Sequence, residues 1–189
     1  MAYKKPHIPN LRAAFKAVAK TVPPAVEKAV DAWMEEQRLD FIDRIQKQRF
    51  VSFRVILYPE SGTNLSPRWL AVKAAYGADL RTMIATGHYV SQIKLWKSGK
   101  GRDRRYRIGF HANTKARDLN GHVVDFPLWR VARVQEFGSD AAQIPPRPHW
   151  RPYANLMRRR APAARRACAH AAGVALVKAA PKFIVEAPS

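Results

Sequence analysis

The sequence predicts an α+β fold: a small, mainly antiparallel sheet with a long β-hairpin, flanked by helices, with long N-terminal and C-terminal helices. Three observations carry this expectation. Apolar residues recur at helical spacing through Val26, Val30, Met34, Phe41 and Ile45. β-branched and aromatic residues concentrate at 50–58, and again on both sides of the glycine-containing stretch Lys97–Arg107. Alanine and arginine, both strong helix formers, fill 151–178 without one acidic residue. A chain of 189 residues with 47% hydrophobic content can bury one core and is short for two. One domain with extensions is therefore expected: an arm and helices over 1–49, an α+β core over 50–157, and a basic helical extension over 158–189.

In chain order, Met1–Pro9 is basic and broken by proline, which suits an arm that orders only against a partner. A short helix is predicted after Asn10, with Leu11, Phe15 and Val18 on one face. Thr21, Pro23 and Pro24 predict a break and a new start, because proline is tolerated in a first turn and not inside a helix. The long helix then runs from Ala25 to Gln48, its apolar stripe widened by Trp33 and Ile42. Its acids are Glu27, Glu35, Glu36, Asp40 and Asp43. Such a helix packs either on its own sheet or on a neighbouring subunit, and both uses need the same periodicity.

Phe50–Tyr58 is predicted as a strand and Pro59–Asn64 as a turn. Ser66 caps and Pro67 opens a helix through Trp69, Leu70, Val72 and Ala75, ending near Gly77. Thr86-Gly87 suits a sharp reversal, after which Tyr89–Trp96 is predicted as a strand with Tyr89, Ser91, Ile93 and Leu95 on one face. The turn is no phosphate loop, since one glycine without a following lysine makes no cradle. Tyr106–His111 returns, making Tyr89–His111 the long hairpin. Asn113–His122 reads as a polar loop, and Val123–Phe126 leads into a helix from Leu128 to Phe137. Pro127 is that helix's predicted first position, Asp125 lies near its cap and Gly138 is its stop. The final helix is predicted from Arg151 to near Lys178, interrupted or kinked at Pro162.

Lys plus Arg number 34 against 14 acidic residues, a formal charge of +20, so the free chain repels itself and attracts polyanions. The candidates for contact with DNA or an acidic partner are Lys97, Lys100, Arg102, Arg104, Arg105 and Arg107 at the hairpin, and Arg158, Arg159, Arg160, Arg165 and Arg166 on the last helix. If six of these met phosphates, log affinity would fall with log salt at a slope of about −5. The bland alternative is a solvated, charged hairpin that keeps the chain soluble. Along the sequence, aromatic residues are not interleaved with the basic ones as a single-strand stacking platform needs, and no helix-turn-helix or zinc pattern is present. No apolar run is long enough to span a bilayer, and no membrane partner is expected.

Catalysis is not expected, and neither is a metal or cofactor. The six histidines (His7, His88, His111, His122, His149, His170) form no i, i+4 pair and no H-E-x-x-H. Cys168 sits among alanines, where a lone cysteine is a small apolar filler; it has no intramolecular disulfide partner. No nucleophile motif or carboxylate cluster stands out. Glu136 is expected to fix local geometry or to pair with an arginine such as Arg147.

Two motifs remain. The first reads Glu136, Phe137, Gly138, then Ile144-Pro145-Pro146-Arg147-Pro148, His149 and Trp150; three prolines in four residues stiffen it and remove three backbone donors. The second reads L-S-P-R-W-L-A-V-K over Leu65–Lys73, followed by M-I-A-T-G-H-Y over Met83–Tyr89. In this order and spacing they resemble the signatures of the neck or tail-completion proteins of tailed bacteriophages, the virion morphogenesis type. The resemblance covers roughly Leu65 to Leu156. It implies a virion structural protein that joins head to tail as a homo-oligomeric ring, hexameric by expectation and dodecameric if it follows the portal. The ring would sit between a head-completion or connector ring and a tail-terminator ring, around the DNA channel, after assembly in the host cytoplasm. Subunit contacts are then expected at Glu136, Phe137, Gly138, Ile144, Pro145, Pro146, Arg147, Pro148 and Trp150, and at Thr86 and Gly87. The alternative is a nucleic-acid-binding protein using the basic hairpin and the arginine-rich helix.

Overall fold

The computed structural model describes residues 11–81, 87–100, 103–142 and 144–179. The N-terminal arm, Thr86 and Arg102 lie outside the described residues. The class is α+β, as expected. Two units are distinguished: residues 34–159, which hold the core and both sheets, and residues 1–33 with 160–189.

Helix α1 spans Leu11–Gln46 without the predicted break, Pro23 and Pro24 included. Their missing N–H groups leave the carbonyls of Ala19 and Lys20 without intrahelical donors, yet both prolines are exposed, so water can serve those carbonyls. Just upstream, the Thr21 hydroxyl donates to the Ala17 carbonyl at 2.8 Å. At the other end, Phe41 and Ile45 are wholly buried in the chain's own core, which settles the use of this part of the stripe.

The predicted strand over 50–58 is instead one helical turn, α2, Val51–Arg54. The reason is spacing: Phe50 and Phe53, three apart, both enter the core, while Val51, Val55 and Ile56 stay exposed. Side chains bind the carbonyls a ladder would have used, Asn64 Nδ2 donating to Phe53 O at 2.8 Å. A 3-10 turn, Pro59–Ser61, follows. Helix α3, Pro67–Ala75, forms as predicted: the Ser66 hydroxyl accepts from Trp69 N at 3.3 Å, and Gly77 closes the end with φ +60°.

Tyr89 is not in a strand. Helix α4, His88–Ser91, buries the adjacent Tyr89 and Val90, which strand alternation would have sent to opposite faces, and Ile93 follows three residues later at zero exposure. The hairpin is correspondingly shorter: β1, Lys94–Ser98, pairs antiparallel with β2, Arg105–Gly109. The expected loop over 113–122 contains β3, Lys115–Arg117, which pairs antiparallel and irregularly with β4, Val123–Pro127. Only Ala116 of β3 is buried, too short an alternation to announce a strand. Asp125 lies in β4 and pairs with Lys115, so it caps nothing.

Helix α5, Leu128–Phe137, has the predicted bounds, with Pro127 as its cap position and not its first residue. Helix α6, Trp150–Ala179, passes through Pro162 as one helix. The core of the larger unit gathers Phe41, Ile45, Phe50, Phe53, Tyr89, Val90, Ile93, Leu128, Ala132 and Tyr153. Phe41 is its hub, with ring centroids 4.5 Å from Trp150, 4.6 Å from Tyr153 and 5.8 Å from Phe50. Such aromatic pairs each add about 0.5–1.5 kcal/mol beyond their burial. Tyr153 also donates its hydroxyl to the Gln37 carbonyl at 2.5 Å, tying the start of α6 to α1 within this unit.

Candidate functional site

The segment from Glu136 to Arg151 forms a bracket that joins the end of α5 to the start of α6. Its centre is Glu136, whose side chain is 4% exposed. Oε2 accepts from the backbone N–H of His149 at 2.8 Å and of Trp150 at 2.9 Å; Oε1 accepts from the backbone N and from Nε of Arg151, each at 3.0 Å. A carboxylate from one helix thus satisfies the orphan donors at the start of another, where the helix dipole also favours negative charge. Burial pushes the carboxyl up, but the N–H groups of His149, Arg151 and Trp150, with the Arg151 side chain, outweigh it and hold the group below its ordinary value.

Gly138 makes the return. Its φ is +79° and ψ −179°, a combination open to glycine, and a Cβ there would meet Ile144 O at 2.9 Å and Pro146 Cδ at 3.1 Å. Ser139 and Ile144 exchange backbone hydrogen bonds at 2.8 and 2.9 Å, and Arg147 N donates to Gln135 O at 2.6 Å. Arg147 turns away from Glu136. It is buried, and its guanidinium donates to Asn64 O and, at 3.5 Å, to Pro145 O; burial lowers its pKa, against a hydrogen bond with Tyr58 that raises it. The expected Glu136–Arg147 pair is therefore replaced within the chain by Glu136–Arg151.

His149, with no exposed surface, completes the bracket. Its Nδ1 lies 2.9 Å from Arg147 O, which only an N–H can satisfy, so Nε2 accepts from the Tyr89 hydroxyl at 2.8 Å. The Tyr89 oxygen in turn accepts from Trp150 Nε1 at 3.0 Å. Burial lowers the His149 pKa, in keeping with the neutral ring this chain of bonds requires. The signature residues Glu136 and Arg147, and His149 beside them, are thus spent on internal bonds, whereas Phe137 and Pro146 are exposed and Ile144, Pro145, Pro148 and Trp150 half-buried. The outward side of α5 carries Trp129, Arg130, Arg133 and Phe137, with the Arg130 guanidinium 5.4 Å from the Trp129 ring and that of Arg151 4.8 Å from the Phe137 ring.

A cavity of about 810 Å³ opens beside the bracket, lined among others by Trp69, Lys73, Tyr76, Val131, Gln135 and Arg147. Lys73 is 2% exposed, and its ammonium donates to Asp79 O at 2.8 Å and Arg81 O at 2.7 Å. Burial pushes its pKa down to about 8. Lys73 closes the L-S-P-R-W-L-A-V-K motif, but burial of one charge in an amphipathic helix leaves no mark on the sequence pattern.

The hairpin separates its cations by face. Lys97 is exposed and adds to Arg38 in lowering the Glu35 pKa, and the Arg104 guanidinium lies 5.9 Å from the Tyr106 ring. Lys100, Arg105 and Arg107 are exposed, as are Arg158, Arg159, Arg165 and Arg166 of α6, while Arg160 is half-buried. The register also sets Trp96 opposite Arg107, an interleaving that residue order had hidden. Among the described residues no three His, Cys, Asp or Glu side chains converge as metal ligands, and no helix is long and apolar enough to cross a membrane. Compared with known proteins, the chain matches no family model, no curated protein and no solved structure.

Proposed function

We propose that this chain is a structural, non-enzymatic protein of a tailed-phage virion, joining head to tail as a homo-oligomeric ring in the neck. The observation that carries the reading is the bracket. The residues by which the sequence resembles the neck family are those that lock α5 to α6: Glu136 caps, Gly138 reverses the chain, and Arg147 ties the loop to Asn64. The same bracket leaves Trp129 and Phe137 exposed beside arginines, the composition that dominates protein interfaces. A preorganised surface loses little entropy on docking, which suits a part whose work is adhesion between rings. Its partners would be copies of itself, a head-completion or connector ring, and a tail-terminator ring.

Light scattering on the purified protein tests this. A ring is expected that persists at high salt, and the double variant W129E/F137E is expected to fold and stay monomeric. A monomer at every salt and concentration, alone and mixed with a tail-terminator protein, overturns the reading. A second reading, nucleic-acid binding through the hairpin, is favoured by a separate observation: Lys94, Arg105 and Arg107 share one exposed face with Trp96.

A further inference from the structure

From the hairpin's register we infer that its outer face is a stacking platform for single-stranded nucleic acid, with Trp96 taking a base and Lys94, Arg105 and Arg107 taking the flanking phosphates. This rests on the nucleic-acid reading of the hairpin and is independent of ring formation. Side chains alternate along a strand, so the pairs Lys94↔Gly109, Trp96↔Arg107 and Ser98↔Arg105 point to one side, and Leu95↔Ile108 and Lys97↔Tyr106 to the other. In the second set Ile108 packs on the core, Leu95 is half-buried and Tyr106 lies under Arg104, with Lys97 exposed. The first set faces out.

On that outer face Trp96 is 38% exposed. Two of its neighbours on that face, Gly109 and Ser98, have side chains too small to cover an indole. The His111 ring stands 5.3 Å away at 49°, a second aromatic on the same edge. Lys94, Arg105 and Arg107 are exposed, and none makes an ion pair among the described residues. Residues two apart on a strand stand about 6.8 Å apart, so cations on either side of the indole can follow a backbone whose base sits on the ring. A chain of net charge +20 supplies the long-range attraction. Acidic protein could meet the cations, but it has no use for an open indole framed by them. Duplex DNA hides its base faces, so stacking selects a single strand.

The test is fluorescence anisotropy of labelled oligo-dT of about 12 nucleotides, within the site size of one binding module, against a duplex of equal length. Salt is varied between about 50 and 200 mM. Wild-type protein is expected to bind the single strand more tightly than the duplex. W96A is expected to lose roughly tenfold in single-strand affinity with its salt slope kept, and W96F to retain most of the binding. R105A/R107A is expected to flatten the slope by about 1.4, two phosphates at −0.7 each. Thermal melting checks that each variant is folded. If single strand and duplex bind alike and W96A changes nothing, the stacking proposal falls while nucleic-acid binding stands. If neither binds, or poly-glutamate displaces both with W96A unaffected, both the stacking proposal and the nucleic-acid reading fall.

Discussion

Oε1 of Glu136 lies 3.0 Å from two atoms of Arg151 at once, its backbone N and its guanidinium Nε. The two bonds differ in worth. The backbone N–H is an orphan of the first helical turn, whereas the arginine side chain is 64% exposed and has water as an alternative. Removing the arginine head with R151A is expected to cost under roughly 1 kcal/mol. E136Q, which turns an amide N–H toward donors, is expected to cost roughly 2–3 kcal/mol. Urea unfolding of the two variants measures the contrast, and equal costs would mean that the cap is not the working contact.

The same carboxylate sets an acid limit. Its folded pKa is lowered, so its stabilisation is fully present above the ordinary carboxylate range and is lost as pH falls through the lowered value. Acid unfolding followed by circular dichroism should therefore show a component below about pH 4 in the wild type that E136Q lacks.

Tyr89→Phe removes one oxygen and strands two groups. His149 Nε2 loses its donor and Trp150 Nε1 its acceptor, with the His149 ring wholly buried. The expected cost is roughly 2–4 kcal/mol, since each stranded buried group costs about 1–3. A loss below 1 kcal/mol, read from the shift of the urea midpoint at constant slope, would mean that water enters the bracket.

Gly138→Ala places a methyl 2.9 Å from the Ile144 carbonyl at a φ of +79°. Both faults push the same way, and destabilisation by roughly 1–3 kcal/mol is expected. Gly121→Ala has the second fault alone, because nothing lies within 4 Å of its missing Cβ at φ +84°. It should cost less, and a thermal-melt comparison of the two variants separates contact from backbone strain.

Lys73 gives a dependence of the same sign at the alkaline end. Its pKa falls from 10.5 to about 8 on folding, so the unfolded chain holds the proton more tightly and stability rises as pH goes from 8 toward 10.5. The neutral amine keeps two N–H groups, enough for Asp79 O and Arg81 O. Against Lys73→Met as reference, the wild type should gain roughly 2–3 kcal/mol between pH 7 and 10. A flat difference would mean that the ammonium reaches solvent.

Some of this was legible in the residues. Helices α3 and α5 announce themselves through local chemistry, Ser66 with Pro67 at one start and Gly138 at one end, and their bounds follow. The segment 50–58 misleads because β-branched Val51, Val55 and Ile56 vote for a strand that the packing of Phe50 and Phe53 overrules. Tyr89 misleads likewise, since its place is set by His149 and Trp150 some 60 residues away. Glu136 stands out by its place in the motif, yet its work as a cap for a helix beginning at Trp150 depends on the loop that brings the two together.

The bracket also fixes a count. Between the carboxylate of Glu136 and the first amide it holds, at His149, the chain spends its residues on one reversal, one pair of reciprocal hydrogen bonds and a rod of prolines. From Ile144 to Pro148 no slack is left to absorb an extra residue, because Ile144 is pinned to Ser139 and the backbone of Arg147 to Gln135. The segment therefore works as a spacer whose length is specified as strictly as its composition. A single-residue insertion between Ile144 and Pro148 would put α6 out of phase with α5, turning Tyr153 away from Gln37 and opening the aromatic core from that end.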